Sequence, residues 1–375
     1  MVIFDSKICW FNLYLVVWES LIDRRFIVEM NRTTWYDNLR SKQIFIQNEN
    51  MKQLTNKNRL RRKNVEKILS PMEKIRFPES EELPEGAKEI DVKDTFGYCT
   101  EFYPDVEYAE HSGKKLHLQI MTPLVYGKDL KWPLIVYVQG SSWHKQKLFQ
   151  SLPTLVRMCE RGYAVAIVEH RESELAPFPA QVVDTKAAIR FLRMNGAHYG
   201  IDVGKVALWG DSSGAHTVLM AGITGDAEYL PEKYSQTTTE VDCIIDWFGP
   251  TDLVAASQYP SAIDHDSAKS PSGVLIGGKT LHDHPEDAYP ANPVVHLHRN
   301  RKTPPVLIMH GGSDPLVPFN QSCILYEALK RMDKEVEFVK LRNAGHGWGG
   351  FMSEAALDIV EEFIKKKFNN DTGIS

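Results

Sequence analysis

From residue 134 onward, short continuous apolar runs alternate with amphipathic segments, and this alternation constrains the chain's fold more than any other feature. Residues 134–138, 164–168, 206–209, 243–248, 306–309 and 335–341 read as strands. Segments near 150–161, 180–195, 215–221, 319–332 and 354–367 carry helical spacing. Strands that are apolar at nearly every residue are buried on both faces. Repeated strand–helix units place them in a mostly parallel sheet covered by helices on both sides. Upstream, 88–92, 103–109 and 115–121 read as antiparallel strands at one sheet edge. The expectation is an α/β domain over 87–370 with an eight-stranded, mostly parallel sheet. Between 251 and 304 the alternation breaks into a stretch rich in Pro, His, Asp and Gly. It is too long for an ordinary loop and reads as a lid or cap.

Residues 1–86 do not share this pattern and read as an N-terminal extension, partly disordered or helical. Their apolar run at 8–18 is too short to span a bilayer. It also lacks the basic start and small-residue cleavage site of a secretory signal. The basic run at 52–67, with Arg59, Arg61, Arg62 and Lys63, reads as a solvated face, and 77–86 as a linker. Met51 is a candidate for the true start, with 1–50 a translated upstream region. Asn31-Arg32-Thr33 fits a glycosylation acceptor, which matters only in a secreted chain. A net charge of −5 excludes global attraction to nucleic acid or an anionic membrane. The 5 cysteines are scattered with no C-x-x-C pair, so neither a disulfide framework nor a zinc ribbon is expected. A reducing, cytoplasmic location follows. The expected partner is a small molecule, with no nucleic acid and no stable membrane insertion, in a monomer or homo-oligomer.

Gly210-Asp211-Ser212-Ser213-Gly214 is G-x-S-x-G. The pattern gains its meaning from its setting, directly after the strand 206–209 and directly before a helix. A sharp elbow there forces strained backbone on Ser212 and leaves no room for flanking side chains. Ser213 is a rival nucleophile, but the glycines are centred on Ser212. The Ser213 N–H, at a helix start, is placed to donate to an oxyanion. A serine hydroxyl needs a base. His346, in Gly345-His346-Gly347 after the strand 335–341, fits that role, and Asp314, after the strand 306–309, fits the carboxylate that orients it. Both fall at strand carboxyl ends, the edge where ligands bind in open α/β sheets. Asp252, after the strand 243–248, is the alternative carboxylate.

After the strand 134–138 comes Gln139-Gly140-Ser141-Ser142-Trp143, where the chain resembles the esterase and lipase branch of the α/β-hydrolases with His-Gly-Gly-Gly-Trp at this point. The run from Arg171 through Ala176-Pro177-Phe178-Pro179-Ala180 is similar to a segment of the hormone-sensitive-lipase-like esterases. Residues 139–143, 247–253 and 314–318 match a bacterial branch more nearly, one described as feruloyl-esterase-like or acetyl-xylan-esterase-like. The resemblance covers roughly 87–370. It implies the α/β-hydrolase fold and a cofactor-free serine carboxylic-ester hydrolase acting through an acyl-enzyme on short-acyl or carbohydrate-linked esters. It assigns oxyanion donors to Ser141 and Ser142, beside Ser213, and pocket positions to Gln139 and Trp143. Trp348, after the histidine loop, is a further candidate for the pocket. Gln139, Ser141 and Ser142 depart from the branch's His and two Gly.

Three readings compete: a kynurenine-formamidase-like amidase, a serine exopeptidase, and a non-catalytic binding protein of the same fold. Exopeptidases of this fold usually carry an N-terminal propeller, which 86 residues cannot build. His265 between Asp264 and Asp266, His282-Asp283-His284 and His296-Leu297-His298 suggest metal ligands. Their spacing matches no standard site, and no metal is expected.

Overall fold

The computed structural model describes residues 83–89, 99–124, 130–347 and 349–369. Gly86–Ser375 form a unit of their own. The readings of 1–82, including the apolar and basic runs and the Met51 start, lie outside the described residues. So does most of the strand expected at 88–92; its residues 88 and 89 carry no strand.

Eight strands form one sheet in the order β1-β2-β4-β3-β5-β6-β7-β8. They are β1 Cys99–His111, β2 Lys114–Leu124, β3 Trp132–Val138, β4 Ala164–Val168, β5 Ile201–Asp211, β6 Cys243–Trp247, β7 Val306–Gly311 and β8 Val336–Leu341. β1–β2 and β2–β4 pair antiparallel, and every other pair is parallel. The first two strands run longer than their hydrophobic pattern suggests. Their pairing continues through half-exposed residues to a turn at Ser112-Gly113.

Alternation along the central strands sorts their side chains into two cores. Leu134, Val136, Val206, Leu208, Ile244 and Ile308 face one side. There they meet helices α2 Ala180–Asn195, α3 Ser213–Thr224 and α7 Asn320–Arg331, numbered in chain order. Ile135, Tyr137, Ala207, Trp209, Ile245 and Met309 face the other side, against α1 Leu152–Glu160 and α8 Glu354–Asn369. This is why strands apolar at every position were readable as doubly covered.

The stretch 251–304 carries three short helices, α4 Leu253–Ala256, α5 Pro271–Leu275 and α6 Pro285–Ala288. Side chains cap two of them. Asp252 accepts from Ala255 N at 3.0 Å and Ser270 from Gly273 N at 3.0 Å. Leu253, Leu275, Ile276, Leu281, Ala288 and Ala291 form a third apolar cluster around Trp143, so the insertion has a small core of its own. Among the described residues no helix is long and apolar enough to cross a membrane. Cys99, Cys159, Cys243 and Cys323 are free thiols.

Candidate active site

The elbow after β5 is as tight as its glycines suggest. Ser212 has φ 52° and ψ −126°, a region L-residues avoid, costing on the order of 1–3 kcal/mol. A Cβ on Gly210 would lie 2.5 Å from the carbonyl of Gly214, and one on Gly214 would lie 2.0 Å from the carbonyl oxygen of Val138. Ser212 N donates to Trp247 O at 2.9 Å, fastening the turn to the end of β6. Ser212 sits where β5 ends, Asp314 just beyond β7 and His346 just beyond β8, so strand order brings them to one edge.

There the side chains join in a chain. His346 Nε2 lies 2.9 Å from Ser212 Oγ, and His346 Nδ1 lies 2.8 Å from Asp314 Oδ2. Phe248 packs against the imidazole in a tilted arrangement, 4.5 Å between ring centroids and 59° between planes. Asp314 accepts at Oδ1 from Leu316 N at 2.8 Å and Val317 N at 3.0 Å. His310, fully buried, places Nε2 3.2 Å from Asp314 Oδ2 and 3.1 Å from Val317 O. A carbonyl only accepts, so that nitrogen carries a proton and donates; Nδ1 then accepts from Ser322 Oγ at 2.7 Å. Burial works against charge on Asp314, but the hydrogen bonds from His310 and His346 outweigh it and hold the carboxyl well below its usual range. Asp252, the other carboxylate considered, caps α4. His310 lies in β7, four residues before Asp314, and its contact to that carboxylate is visible only once the loop is folded.

The loop after β3 divides its assigned donors. Ser141 N donates to Ser213 Oγ at 2.9 Å, and Ser141 Oγ donates to His144 O at 2.7 Å. Ser141 therefore braces the loop, and Ser213 Oγ is held by that brace. Gly140 N donates to Asp211 Oδ1 at 2.9 Å, beside the hydroxyl of Tyr137 at 2.6 Å. Burial pushes the Asp211 carboxyl up, partly offset by those two donors. Ser142 and Trp143 then follow with φ 55° and 57°. Glycine takes such angles freely; here serine and tryptophan take them in succession. Ser142 and Ser213 both border a cavity of about 30 Å³ at Ser212, also lined by Trp143, Ile263, His265 and Val317. The Ser213 N–H opens α3 and has no carbonyl four residues back to receive it.

Trp143 lines this cavity and also ties the lid to the sheet. It is buried, and its Nε1 donates to His216 Nδ1 at 3.2 Å. His216 Nε2, 2.6 Å from the carbonyl of Ala291, donates to the lid. Sequence reasoning missed His216, although it lies within the run of α3 that follows the elbow. Gln139 is buried with its carbonyl accepting from Gln146 Nε2 at 3.2 Å, and it is not among the described residues lining the cavity. Trp348 lies outside the described residues. His284, Glu286 and Asp287 form the one cluster with metal-ligand spacing among the described residues, on the lid, with Glu286 exposed and the other two half-buried.

Burial pushes the His216 imidazole down to about 4, with the Ala291 carbonyl opposing. An unfolded histidine takes its proton near pH 6.5. The neutral clamp therefore contributes stability that is present above about pH 6.5 and is lost as the pH falls toward about 4, by up to ~3 kcal/mol. Urea denaturation of His216→Gln, which has no imidazole to protonate, is expected to show a flatter pH dependence between about pH 7 and 4.5. Parallel curves for the two proteins would remove His216 as the cause.

The BD-FAE family model matches residues 118–329. Esterase LipC of Mycobacterium tuberculosis is 28% identical over 219 residues, covering 58% of this chain and 53% of LipC. The chain spans about half the length of the curated relatives it matches. Among solved structures, a truncated carbohydrate esterase from gut microbiota superposes with a TM-score of 0.64 at 27% identity, covering 73% of this chain and 98% of that one. A bifunctional GH43-CE protein of Bacteroides eggerthii gives a TM-score of 0.61 at 28% identity, covering 73% of this chain and 39% of that one.

Proposed function

The chain belongs to the BD-FAE family, within the esterase and lipase branch of the α/β-hydrolases, and on that premise we propose that it is a serine carboxylesterase acting through an acyl-enzyme on short-acyl esters, carbohydrate acetates foremost. One observation carries the reading: the unbroken hydrogen-bonded series Ser212, His346, Asp314 opening on a cavity. In this proposal Ser212 Oγ bonds to the ester carbonyl carbon as its proton passes to His346 Nε2. The carbonyl oxygen becomes an oxyanion, stabilised by the amides of Ser142 and Ser213. Asp314 stabilises the imidazolium without taking its proton. The C–O bond to the alcohol breaks and the leaving oxygen takes the proton from His346. Water then attacks the acyl carbon by the same route, with His346 as base, and frees Ser212.

The cavity beside Ser212 is small, which favours a substrate with small groups around its ester. A space of about 30 Å³ holds on the order of two water-sized groups. The carbohydrate part of the reading leans on the gut-microbiota carbohydrate esterase. Residues before about 87 are proposed as an extension outside the catalytic domain, and the scattered cysteines keep a reducing, cytoplasmic location as the proposal.

The test is a substrate series with acid-quenched intact-mass detection of the acyl-enzyme. The series comprises p-nitrophenyl esters of rising chain length, acetylated xylo-oligosaccharides, methyl ferulate, N-formylkynurenine and aminoacyl p-nitroanilides. Acetyl and propionyl esters are expected to give the highest kcat/KM, with a covalent acyl group on the Ser212 peptide. Fastest turnover of N-formylkynurenine would replace the ester reading with an amidase. Absence of any adduct and of any turnover would leave a binding protein.

A further inference from the structure

The lid contributes one titratable side chain to the described lining of the Ser212 cavity: His265. Its flanking Asp264 and Asp266 gave it the look of a metal ligand in the sequence. The structure uses both carboxylates otherwise. Asp264 Oδ1 accepts from Asp266 N at 2.8 Å and Ser267 N at 3.2 Å, folding the chain around His265. Asp266 Oδ1 accepts from His282 N at 2.8 Å. Each acid thus has one carboxylate oxygen engaged by backbone amides.

The segment is also fastened to the loop that carries Asp314. Ala262 N donates to Pro315 O at 2.7 Å, and Ser261 Oγ donates to Leu316 O at 2.8 Å. His265 Nε2 lies 2.8 Å from Leu316 O and 3.1 Å from Ser261 Oγ. The Leu316 carbonyl has no proton to give, so Nε2 is the donor. In the neutral ring Nδ1 is then an acceptor, and among the described residues it has no protein partner. His265 is 8% exposed, held on both sides of its backbone and through one ring nitrogen, and it borders the cavity that holds the nucleophile.

Resting on the esterase reading above, we propose that His265 is the specificity residue for the alcohol half of the substrate. Its Nδ1 accepts a hydrogen bond from a hydroxyl beside the ester, selecting polyol esters over esters of alcohols without one. The other lining residues outside the acyl machinery include Pro250, Ile263, Pro271 and Val317, which offer apolar surface. A site built to pair a substrate hydroxyl discriminates against analogues that lack it, because its own polar atom is left without a partner. The same carbonyl oxygen that fixes His265 belongs to Leu316, whose N–H supports Asp314. Alcohol recognition is thereby set in register with the catalytic carboxylate.

Two substitutions separate the two ring nitrogens. Glutamine places its amide nitrogen near the position of Nε2, so His265→Gln keeps the bond to Leu316 O and loses the acceptor at Nδ1. Asparagine places its oxygen near the position of Nδ1, so His265→Asn keeps the acceptor and cuts the bond to Leu316 O. The readout is the ratio of kcat/KM for acetylated xylo-oligosaccharides to that for p-nitrophenyl acetate, which has no neighbouring hydroxyl. In His265→Gln this ratio is expected to fall about 10- to 100-fold. In His265→Asn it is expected to stay within about threefold of wild type while the thermal midpoint drops. A ratio unchanged in His265→Gln, or lowered equally in both variants, overturns the proposal. So does a wild-type protein that forms the acyl-enzyme from p-nitrophenyl acetate but leaves the acetylated sugar intact, and that result spares the esterase reading. Failure of wild type on both substrates, with no acyl adduct, overturns the esterase reading and this proposal with it.

Discussion

Ser212→Ala is expected to lower kcat on p-nitrophenyl acetate by about 10⁴-fold or more, with the folded state kept. Alanine keeps the Cβ that the elbow already accommodates, and it adds nothing near Gly210 or Gly214, whose neighbours leave no space. Among the described residues the hydroxyl pairs with His346, so removing it takes away the nucleophile and little packing. Residual activity comes from the amides of Ser142 and Ser213 and from substrate binding, which is why the loss has a floor. Single-turnover kinetics with the thermal midpoint measured alongside checks it. A variant retaining more than about a hundredth of wild-type kcat, with its fold intact, would reassign the nucleophile. Ser213 is a poor replacement, since it is buried and its Oγ accepts from Ser141 N.

Asp314→Asn is expected to cost about 10⁴-fold in kcat, through the wrong proton arrangement more than through lost charge. Oδ1 of Asp314 accepts two backbone amides, from Leu316 and Val317. An asparagine that keeps its oxygen there turns its NH₂ toward His346 Nδ1 and His310 Nε2. His310 Nε2 already carries a proton, directed at Val317 O and the carboxylate, so two donors meet. His346 can answer only by presenting Nδ1 as an acceptor and moving its proton to Nε2. That nitrogen faces Ser212 Oγ and can no longer take its proton. The opposite amide orientation sets NH₂ against the two backbone N–H groups, which is no better. The tautomer of His346, followed by nitrogen NMR, is expected to switch in the variant. Activity within about tenfold of wild type would show that Asp314 does not govern that tautomer.

The parts of this site that were readable in the sequence are those that follow from strand order. Ser212, Asp314 and His346 each follow the carboxyl end of a parallel strand, and a parallel sheet sends all such positions to one edge. The helices on both faces were readable because the central strands alternate between two cores, with Asp246 in β6 a buried polar exception. What escaped depends on side chains distant along the chain. Nothing local announces that the Ser141 amide is taken by Ser213 Oγ, 72 positions away. Nor does it show that Trp143 and His216 join across 73. Gln139 was grouped with the pocket by its place in a motif, whereas its backbone is held by Gln146. The ends of β1 and β2 were short in the reading because half-exposed edge residues carry no clean alternation.

The clamp formed by Trp143, His216 and the Ala291 carbonyl divides the labour within the protein. In the proposed reaction, the groups that handle the acyl carbon grow out of strand ends and are placed by sheet register. What the lid adds around Ser212 comes from an insertion with its own apolar cluster, tied to the rest of the domain by hydrogen bonds, by Trp143 and by Leu297 in the main core. On the reading proposed above, substitutions within 251–304 are expected to change which alcohols are accepted while the Ser212, His346 and Asp314 series stays in place.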